Sequence, residues 1–488
     1  MQKTCAIIGA GPAGMASAIR MANKGYQVTV FEANQQAGGK LTQSEEKGYR
    51  FDMGPSVFTM PSLVDELFIE SGKNPRDYYN YLSLDPVYRY FYEDGTRIVA
   101  YKSPSKFADE IAEKTTENKQ TVLHFLKNVE RNYRLTAEIF LYHSLHKARN
   151  FFTWRVAKGL LNFGKLGAFK TMNQENEQAF KDPRVVQLFN RYATYNGSSP
   201  YEAPATLNVI PHLEINLGAF IPAGGMYSIT KALVALGNDL SVNYQYNSKV
   251  TEIIIESKKA KGVKVNGEIH HFDCVVSNMD VYNTYKYLLP NISKPLKTLN
   301  QPKSSSAIIF YWGIKKSFSE LGLHNIFFSN QYEAEFDSIF HQKKPFSDPT
   351  IYVNISSKKN EDDAPEGCEN WFTMINAPHN DGQTNWDEMI AQTKEAVIEK
   401  INRNLKTDIR PFIEVEMIWE PRKIEQITSS AFGAIYGNSS NNKFAAFLRH
   451  ANFSSEIKDL YFCGGSVHPG PSIPLCMLSA KIMSDCVV

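Results

Sequence analysis

A glycine signature in the first fourteen residues, with the strand and acid that follow it, restricts this 488-residue chain more than any other stretch. Lys3 to Ile8 reads as a short buried strand running into Gly9-Ala10-Gly11-Pro12-Ala13-Gly14, then a helical stretch from Met15 to Lys24 closed by Gly25. A second apolar strand, Gln27 to Phe31, ends at Glu32, eighteen residues beyond Gly14. Gly9 permits the tight turn, Gly11 lets backbone approach a pyrophosphate, and Gly14 lets helix and strand pack closely. The helix N-terminus then faces the anion, and Glu32 is placed to accept hydrogen bonds from a ribose diol. A lone GxGxxG is weak. Strand, glycines, helix, second strand and acid in register within about thirty residues predict a dinucleotide site.

The motif does not separate NAD from FAD, but the next stretch favours the flavin. Ala33 to Leu41 holds a second glycine pair followed by a cation, Gly38-Gly39-Lys40, and Phe51-Asp52-Met53-Gly54-Pro55-Ser56 makes a further glycine turn. Three backbone-exposing turns suit a long ligand lying against the protein, with Lys40 near its phosphates; the alternative is that Gly38-Gly39 is an ordinary loop.

The length implies two or three domains. Near-balanced charge, 53 basic against 51 acidic residues, argues against a nucleic-acid binder. The six cysteines form no CxxC pair and have no histidine at ligand spacing, which points to a reducing cytoplasm and no metal site. No apolar run reaches the roughly eighteen residues needed to span a bilayer, and Met1-Gln2-Lys3 leads into a strand rather than a signal peptide. The protein is therefore expected to stay inside the cell. The 30 Phe and 25 Tyr exceed what a dinucleotide domain needs and suit the lining of a long apolar cavity.

Along the chain, residues 63–72 read as a short helix and Val87 to Ala100 as a hairpin in a second, substrate-facing sheet. Helical periodicity dominates from Ser105 to Gln187. Within it, Ile139 to Lys170 has no acidic residue and six cations, Lys147, Arg149, Arg155, Lys158, Lys165 and Lys170, interleaved with Phe151, Phe152, Trp154 and other large apolar residues. That composition fits a helix in an anionic membrane interface, or a core helix with a solvated basic face. Pro222 to Met226 opens another helix, Val242 to Ile255 and Val263 to Val265 read as strands, and Cys274 to Asn278 returns to the first sheet. Strands at Ala307 to Ile314, Ile351 to Ile355 and Phe372 to Ile375 rebuild the substrate sheet, followed by a helix over Trp386 to Arg403. Leu460 to Ser466 is a strand leading to glycines, followed by a rigid loop to Pro474 and a closing helix, Leu475 to Val488. The expected class is α/β: a discontinuous Rossmann-type FAD-binding domain (1–75, 218–295, 426–488), a mixed or antiparallel-sheet substrate domain (76–104, 296–425) and a helical, membrane-associating subdomain (105–217).

Taken together, Gly9 to Gly14, Glu32, Gly38-Gly39-Lys40, Phe51 to Pro55, Pro222 to Met226, Val275 to Asp280 and Gly464 to Ala480 resemble the bacterial carotenoid (phytoene) desaturase family, within the FAD amine oxidase and protoporphyrinogen oxidase group. Most members carry Arg where this chain has Lys40, which keeps the charge and loses the bidentate fork. Phe51 to Met60 and Gly464-Gly465-Ser466-Val467-His468-Pro469-Gly470 look most like the 1-hydroxycarotenoid 3,4-desaturases.

The resemblance implies non-covalent FAD and a desaturation in which flavin takes a hydride while a proton leaves the neighbouring carbon. The protein then supplies position and dryness rather than strong acid–base groups. It implies pyrophosphate contacts at Gly9, Gly11, Pro12, Ala13 and Gly14, adenosine ribose contacts at Glu32 and Ala33, and ribityl-phosphate contacts at Gly39, Lys40 and Leu41. Gly54, Pro55 and Ser56 border the flavin ring, and Val250 offers a backbone contact to adenine. Gly465 and Ser466 reach the phosphates, and Ile473, Pro474 and Met477 the pyrimidine edge. His468 is a candidate proton acceptor, or braces the loop. An insoluble carotenoid substrate implies peripheral attachment to the inner membrane through part of residues 139–170, with oxygen or a membrane quinone as terminal acceptor. Rivals are a phytoene desaturase, an amine or porphyrin oxidase, and the Rab escort proteins of the same fold, whose dinucleotide site has decayed where this one is intact.

Overall fold

The computed structural model describes residues 2–147, 169–442 and 445–487. The strand Thr4–Ile8 lies at the centre of a five-stranded sheet. Gln27–Phe31 and then Asn243–Gln245 follow on one side, Cys274–Ser277 and Leu460–Phe462 on the other, all parallel. A parallel sheet is covered on both faces, so its strands read as continuous apolar runs rather than alternating ones. Here Cys5 and Ile7 pack with the helices Pro12–Asn23, Tyr227–Asp239 and Ile473–Ser484 through Met15, Ile19, Leu233 and Leu478. Ala6 and Ile8 pack on the opposite side against a three-stranded antiparallel sheet through Ile253 and Val263.

The expected strand from Val242 to Ile255 is two elements. The chain turns between Gln245 and Val250, with Asn247 at φ +51°, so Asn243–Gln245 joins the edge of the parallel sheet while Val250–Glu256 pairs with Lys259–Val265 in the antiparallel one. Apolar content alone does not show which sheet a strand joins. The closing helix also begins earlier than expected, at Ile473, because the Ser472 hydroxyl accepts from the Leu475 amide and Pro474 tolerates the first turn.

The second large sheet has seven strands in the order Ile413–Trp419, Ser306–Ile314, Glu369–Ala377, Ile351–Ile355, His324–Phe327, Tyr88–Phe91 and Arg97–Ala100. It is antiparallel except where His324–Phe327 meets Tyr88–Phe91. Its two faces differ in chemistry. One packs Phe310, Trp312, Val353 and Trp371 onto the helix Trp386–Leu405. The other carries tyrosines: Tyr88 and Tyr90 meet Phe189 and Tyr192 of the helical region, and Tyr311 and Phe372 meet Tyr49, Phe51 and Met53.

The helices Pro104–Lys114, Lys119–Phe140, Met172–Ala179 and Pro183–Asn190 occupy the helical block expected from periodicity, the last running three residues past its expected end. Thr171 and Gln174 form a reciprocal capping box at the third. Phe151, Phe152 and Trp154 lie outside the described residues. No described helix is long and apolar enough to cross a membrane.

Candidate active site

The site is assembled around Asn278, the residue that follows the returning strand. Its backbone amide donates to the Ile8 carbonyl at 2.9 Å and its side-chain amide to the Cys463 carbonyl at 3.3 Å, tying the glycine turn to the C-terminal strand. The glycines are required by this side chain and by the turn itself. A Cβ on Gly11 would stand 2.7 Å from Asn278 Oδ1, one on Gly14 2.1 Å from the Gly9 carbonyl, and one on Gly464 2.6 Å from Asn278 Nδ2. Pro12 and Ala13 open the helix behind the turn, with Ala13 fully buried. Glu32 is buried at the end of its strand. One carboxylate oxygen accepts from the Ala10 amide at 2.8 Å and the other from the Asn34 amide at 2.9 Å, with Ala33 exposed between them. The Asn34 side-chain amide also donates to that second oxygen at 2.9 Å, so the oxygen on Ala10 is the one that keeps a lone pair for a further donor such as a ribose hydroxyl.

The second glycine pair folds onto the first turn: a Cβ on Gly39 would lie 3.5 Å from Gly11 Cα. Leu41 is buried beside it. The third turn packs against the second, since a Cβ on Gly54 would overlap the Lys40 carbonyl oxygen at 1.8 Å. Pro55 is exposed, and the Ser56 hydroxyl meets the Tyr352 hydroxyl at 2.7 Å. These three turns, expected from sequence to serve one ligand, adjoin one another.

Lys40 is half-buried, and Nζ donates to the Ile435 carbonyl at 2.8 Å. Burial lowers its pKa, with Asp280 opposing the shift. Lys303, which donates to Asn438 Oδ1 at 2.8 Å, is lowered for the same reason. Burial raises the Asp280 carboxyl, against the pull of both lysines. Arg449 is buried and donates to the carbonyls of Gly465 and Asn438, each at 3.3 Å; burial brings its pKa down to about 10. A small cleft lined by Asp280, Tyr282, Lys303, Asn438 and Ser466 lies here, and the Ser466 hydroxyl accepts from the Val281 amide at 3.0 Å. Two lysines acting on one carboxylate, with Arg449 on the backbone carbonyl of Asn438, whose side chain holds Lys303, leave positive charge that a diphosphate would balance, so this cradle fits a dinucleotide on charge.

Asn278, Asp280, Lys303 and Arg449 were not among the residues predicted from sequence to touch the cofactor. A polar residue directly after an apolar returning strand is the signal that marks Asn278; the others come together only in three dimensions. Ile473 and Met477 are buried in the core of the closing helix with Pro474 between them. Val250, also buried, begins the antiparallel sheet. Burial raises the Cys463 thiol to about 12 and the Cys476 thiol to about 11, so neither is poised as a nucleophile towards flavin.

His468 is fully buried, and its Nε2 donates to the His143 carbonyl at 2.9 Å. Its own backbone carbonyl accepts from the Asn452 side chain at 2.8 Å and the Ser479 hydroxyl at 2.9 Å, and burial lowers the ring pKa to about 4. The Nε2 contact between loop and helical region suits a brace, while Nδ1 has no hydrogen-bond partner among the described residues.

The profile of the family described as flavin containing amine oxidoreductase matches residues 12–350. The chain is 48% identical over 99% of its length, and 99% of the relative's, to a 1-hydroxycarotenoid 3,4-desaturase of a Flavobacterium species. It is 32% identical over 99% of its length, and 97% of the relative's, to a 4,4'-diapolycopene oxygenase of a Methylomonas species. It is 30% identical over 99% of its length, and 98% of the relative's, to a 4,4'-diapophytoene desaturase of Staphylococcus haemolyticus. Among solved structures, an oxidoreductase from Methanosarcina mazei shares the fold with a TM-score of 0.61 at 16% identity, over 98% of this chain and 99% of that one. A putrescine oxidase bound to putrescine does so with a TM-score of 0.63 at 14% identity, over 99% and 98%. With its glycine turns, its buried ribose acid and its cationic cradle, the chain belongs to the flavin containing amine oxidoreductase family and is an FAD-dependent oxidoreductase.

Proposed function

We propose that this protein desaturates a 1-hydroxylated carotenoid at the C-3,4 bond. The observation that carries the reading is the 48% identity, along 99% of both chains, to a desaturase of that description. The substrate sheet supports it. Its face towards the Met53–Ser56 turn presents Tyr311, Phe372, Tyr352 and Tyr88, rings suited to a flat polyene rather than to a cationic amine.

FAD, when bound, supplies a two-electron acceptor for the hydride. The chain's own residues do the rest. The glycine turns and Glu32 hold the dinucleotide in register, and the Gly54-Pro55-Ser56 turn borders the space where the substrate bond must lie. Aromatic faces exclude water and favour positive charge developing along a polyene. The proton released from the neighbouring carbon is acidified by that delocalised charge, so no strong base is needed. His468, with its pKa near 4, is not assigned that task.

The reading includes peripheral attachment to the inner membrane through part of residues 139–170, because a substrate of this class resides in the bilayer. It also includes reoxidation by oxygen or quinone. The test is incubation of the FAD-loaded protein in anionic liposomes with a 1-hydroxycarotenoid and, separately, with phytoene. One added conjugated double bond, confined to the hydroxylated substrate, is expected. Conversion of phytoene in several steps moves the protein to the phytoene desaturases, and no reaction with either removes the carotenoid reading. The same vesicles, sedimented, should carry the protein down; protein left in the supernatant counts against attachment.

A further inference from the structure

One row of residues crosses the seven-stranded sheet on its tyrosine-rich face. Cross-strand pairing aligns Met417, Tyr311, Phe372, Asn354 and His324, and the His324 ring stacks on Tyr88 of the next strand at 4.9 Å. The row faces the third glycine turn: Tyr311 donates to the Met53 carbonyl at 3.1 Å, and the Ser56 hydroxyl meets Tyr352, two residues before Asn354. In a row otherwise of rings and thioether, His324 and Asn354 are the polar members.

His324 is 1% exposed and held on one side only. Its Nδ1 lies 2.8 Å from the Tyr352 hydroxyl and 3.1 Å from Asn354 Nδ2. The amide group of Asn354 donates, so Nδ1 accepts and the ring hydrogen sits on Nε2. Among the described residues, Nε2 has no hydrogen-bond partner. Burial, with Arg191 nearby, lowers the ring pKa to about 3, which keeps it a neutral single donor. Tyr88 is fixed in turn by the Tyr195 hydroxyl at 3.0 Å and by the Arg191 guanidinium over its ring at 4.6 Å. Both Tyr195 and Arg191 are anchored on the buried carboxylate of Glu214. A buried donor left unpaired is costly, and one clamped this firmly is positioned for an acceptor brought by a ligand.

We infer that His324 Nε2–H donates to the hydroxyl oxygen at C-1 of the substrate and is the residue that selects a hydroxylated end. The inference rests on the desaturase reading and deepens it. Distance fits: an oxygen on C-1 lies within about 5 Å of C-4 at ordinary bond lengths of about 1.5 Å. His324 is two short contacts, 2.8 and 2.7 Å, from Ser56 at the turn that borders the reacting bond. A site built to donate to a hydroxyl discriminates strongly against an analogue lacking it, because its own donor is then left unpaired.

The test measures kcat/KM for a 1-hydroxycarotenoid and for the same carotenoid without the hydroxyl, using flavin-loaded wild type, His324→Asn and His324→Gln. Asn keeps an amide near the Nδ1 position and has nothing at Nε2; Gln reaches the Nε2 position with a donor. The ratio of the two kcat/KM values should fall at least about tenfold in His324→Asn and stay within about threefold of wild type in His324→Gln. An unchanged ratio in His324→Asn overturns the inference. If that variant fails to load flavin, Tyr352→Phe carries the test: loss of the hydroxyl that orients the ring should lower the ratio, and an unchanged ratio overturns it. Wild type that converts both substrates equally sinks the hydroxyl contact and leaves the desaturase standing. Wild type that converts neither sinks the desaturase reading itself.

Discussion

Glu32 holds the Ala10 amide with one carboxylate oxygen and the Asn34 amide with the other, so the ribose acid also stiffens the glycine turn before any ligand arrives. Replacing it with Ala leaves the buried Ala10 N–H unpaired, a loss of about 1–3 kcal/mol. Glu32→Ala should therefore lower both unfolding free energy and FAD affinity, the latter at least about tenfold by flavin fluorescence titration; wild-type affinity would show that the acid does not hold the ribose. The glycines and Glu32 were legible in the sequence because a strand–turn–helix–strand unit is local and its steric demands fall on fixed spacings. Asn278 was not, since it meets those glycines from the far side of the chain, and neither was the acceptor of Lys40, the carbonyl of Ile435.

At the level of elements, the helix Tyr227–Asp239 is started by a side chain from elsewhere. The Asp52 carboxylate accepts from the amides of Met226 and Tyr227 at 2.9 and 3.1 Å and pairs with Arg50 at 2.9 Å, while Arg50 is held on its other side by Asp363 at 2.6 Å. This cluster joins the parallel sheet's helix to the loop after Ile351–Ile355 in the substrate sheet. Asp52→Ala removes a cap and leaves a mostly buried guanidinium short of one partner, which should cost about 3–5 kcal/mol in chemical denaturation. A loss under about 1 kcal/mol would show that Asp363 alone satisfies Arg50. The glycine pair before this helix announced its start, yet the capping residue could not be read from it, because its partner is 174 positions away. The division of Val242 to Ile255 between two sheets is of the same kind.

Across the whole molecule, among the described residues, burial lowers His324 to about 3 and His379, His450 and His468 to about 4, which keeps these four rings neutral. Unfolded histidine titrates near 6.5, so below that pH the unfolded chain binds protons that the folded one does not. Each ring therefore contributes stability that is complete above about 6.5 and is lost as pH falls towards 4. Glu335, raised to about 7 by burial, acts in the opposite sense, its contribution being lost as pH rises through 7. Four rings against one carboxyl make acidification below about 6.5 a net loss of stability. The urea midpoint should be clearly lower at pH 5.5 than at pH 7.5; an equal or higher midpoint at 5.5 refutes this. The histidines were visible in the sequence as residues and silent as to burial. What the amino-acid order could settle alone was the dinucleotide unit, the strand and helix periods and the discontinuous return of the chain to its first sheet, because these follow from short-range sterics and apolar spacing. The cationic cradle, the braced His468 and the single-sided clamp on His324 arise where segments hundreds of residues apart are packed together. Burial and partner geometry, which set the chemistry of a polar side chain, exist only after that packing.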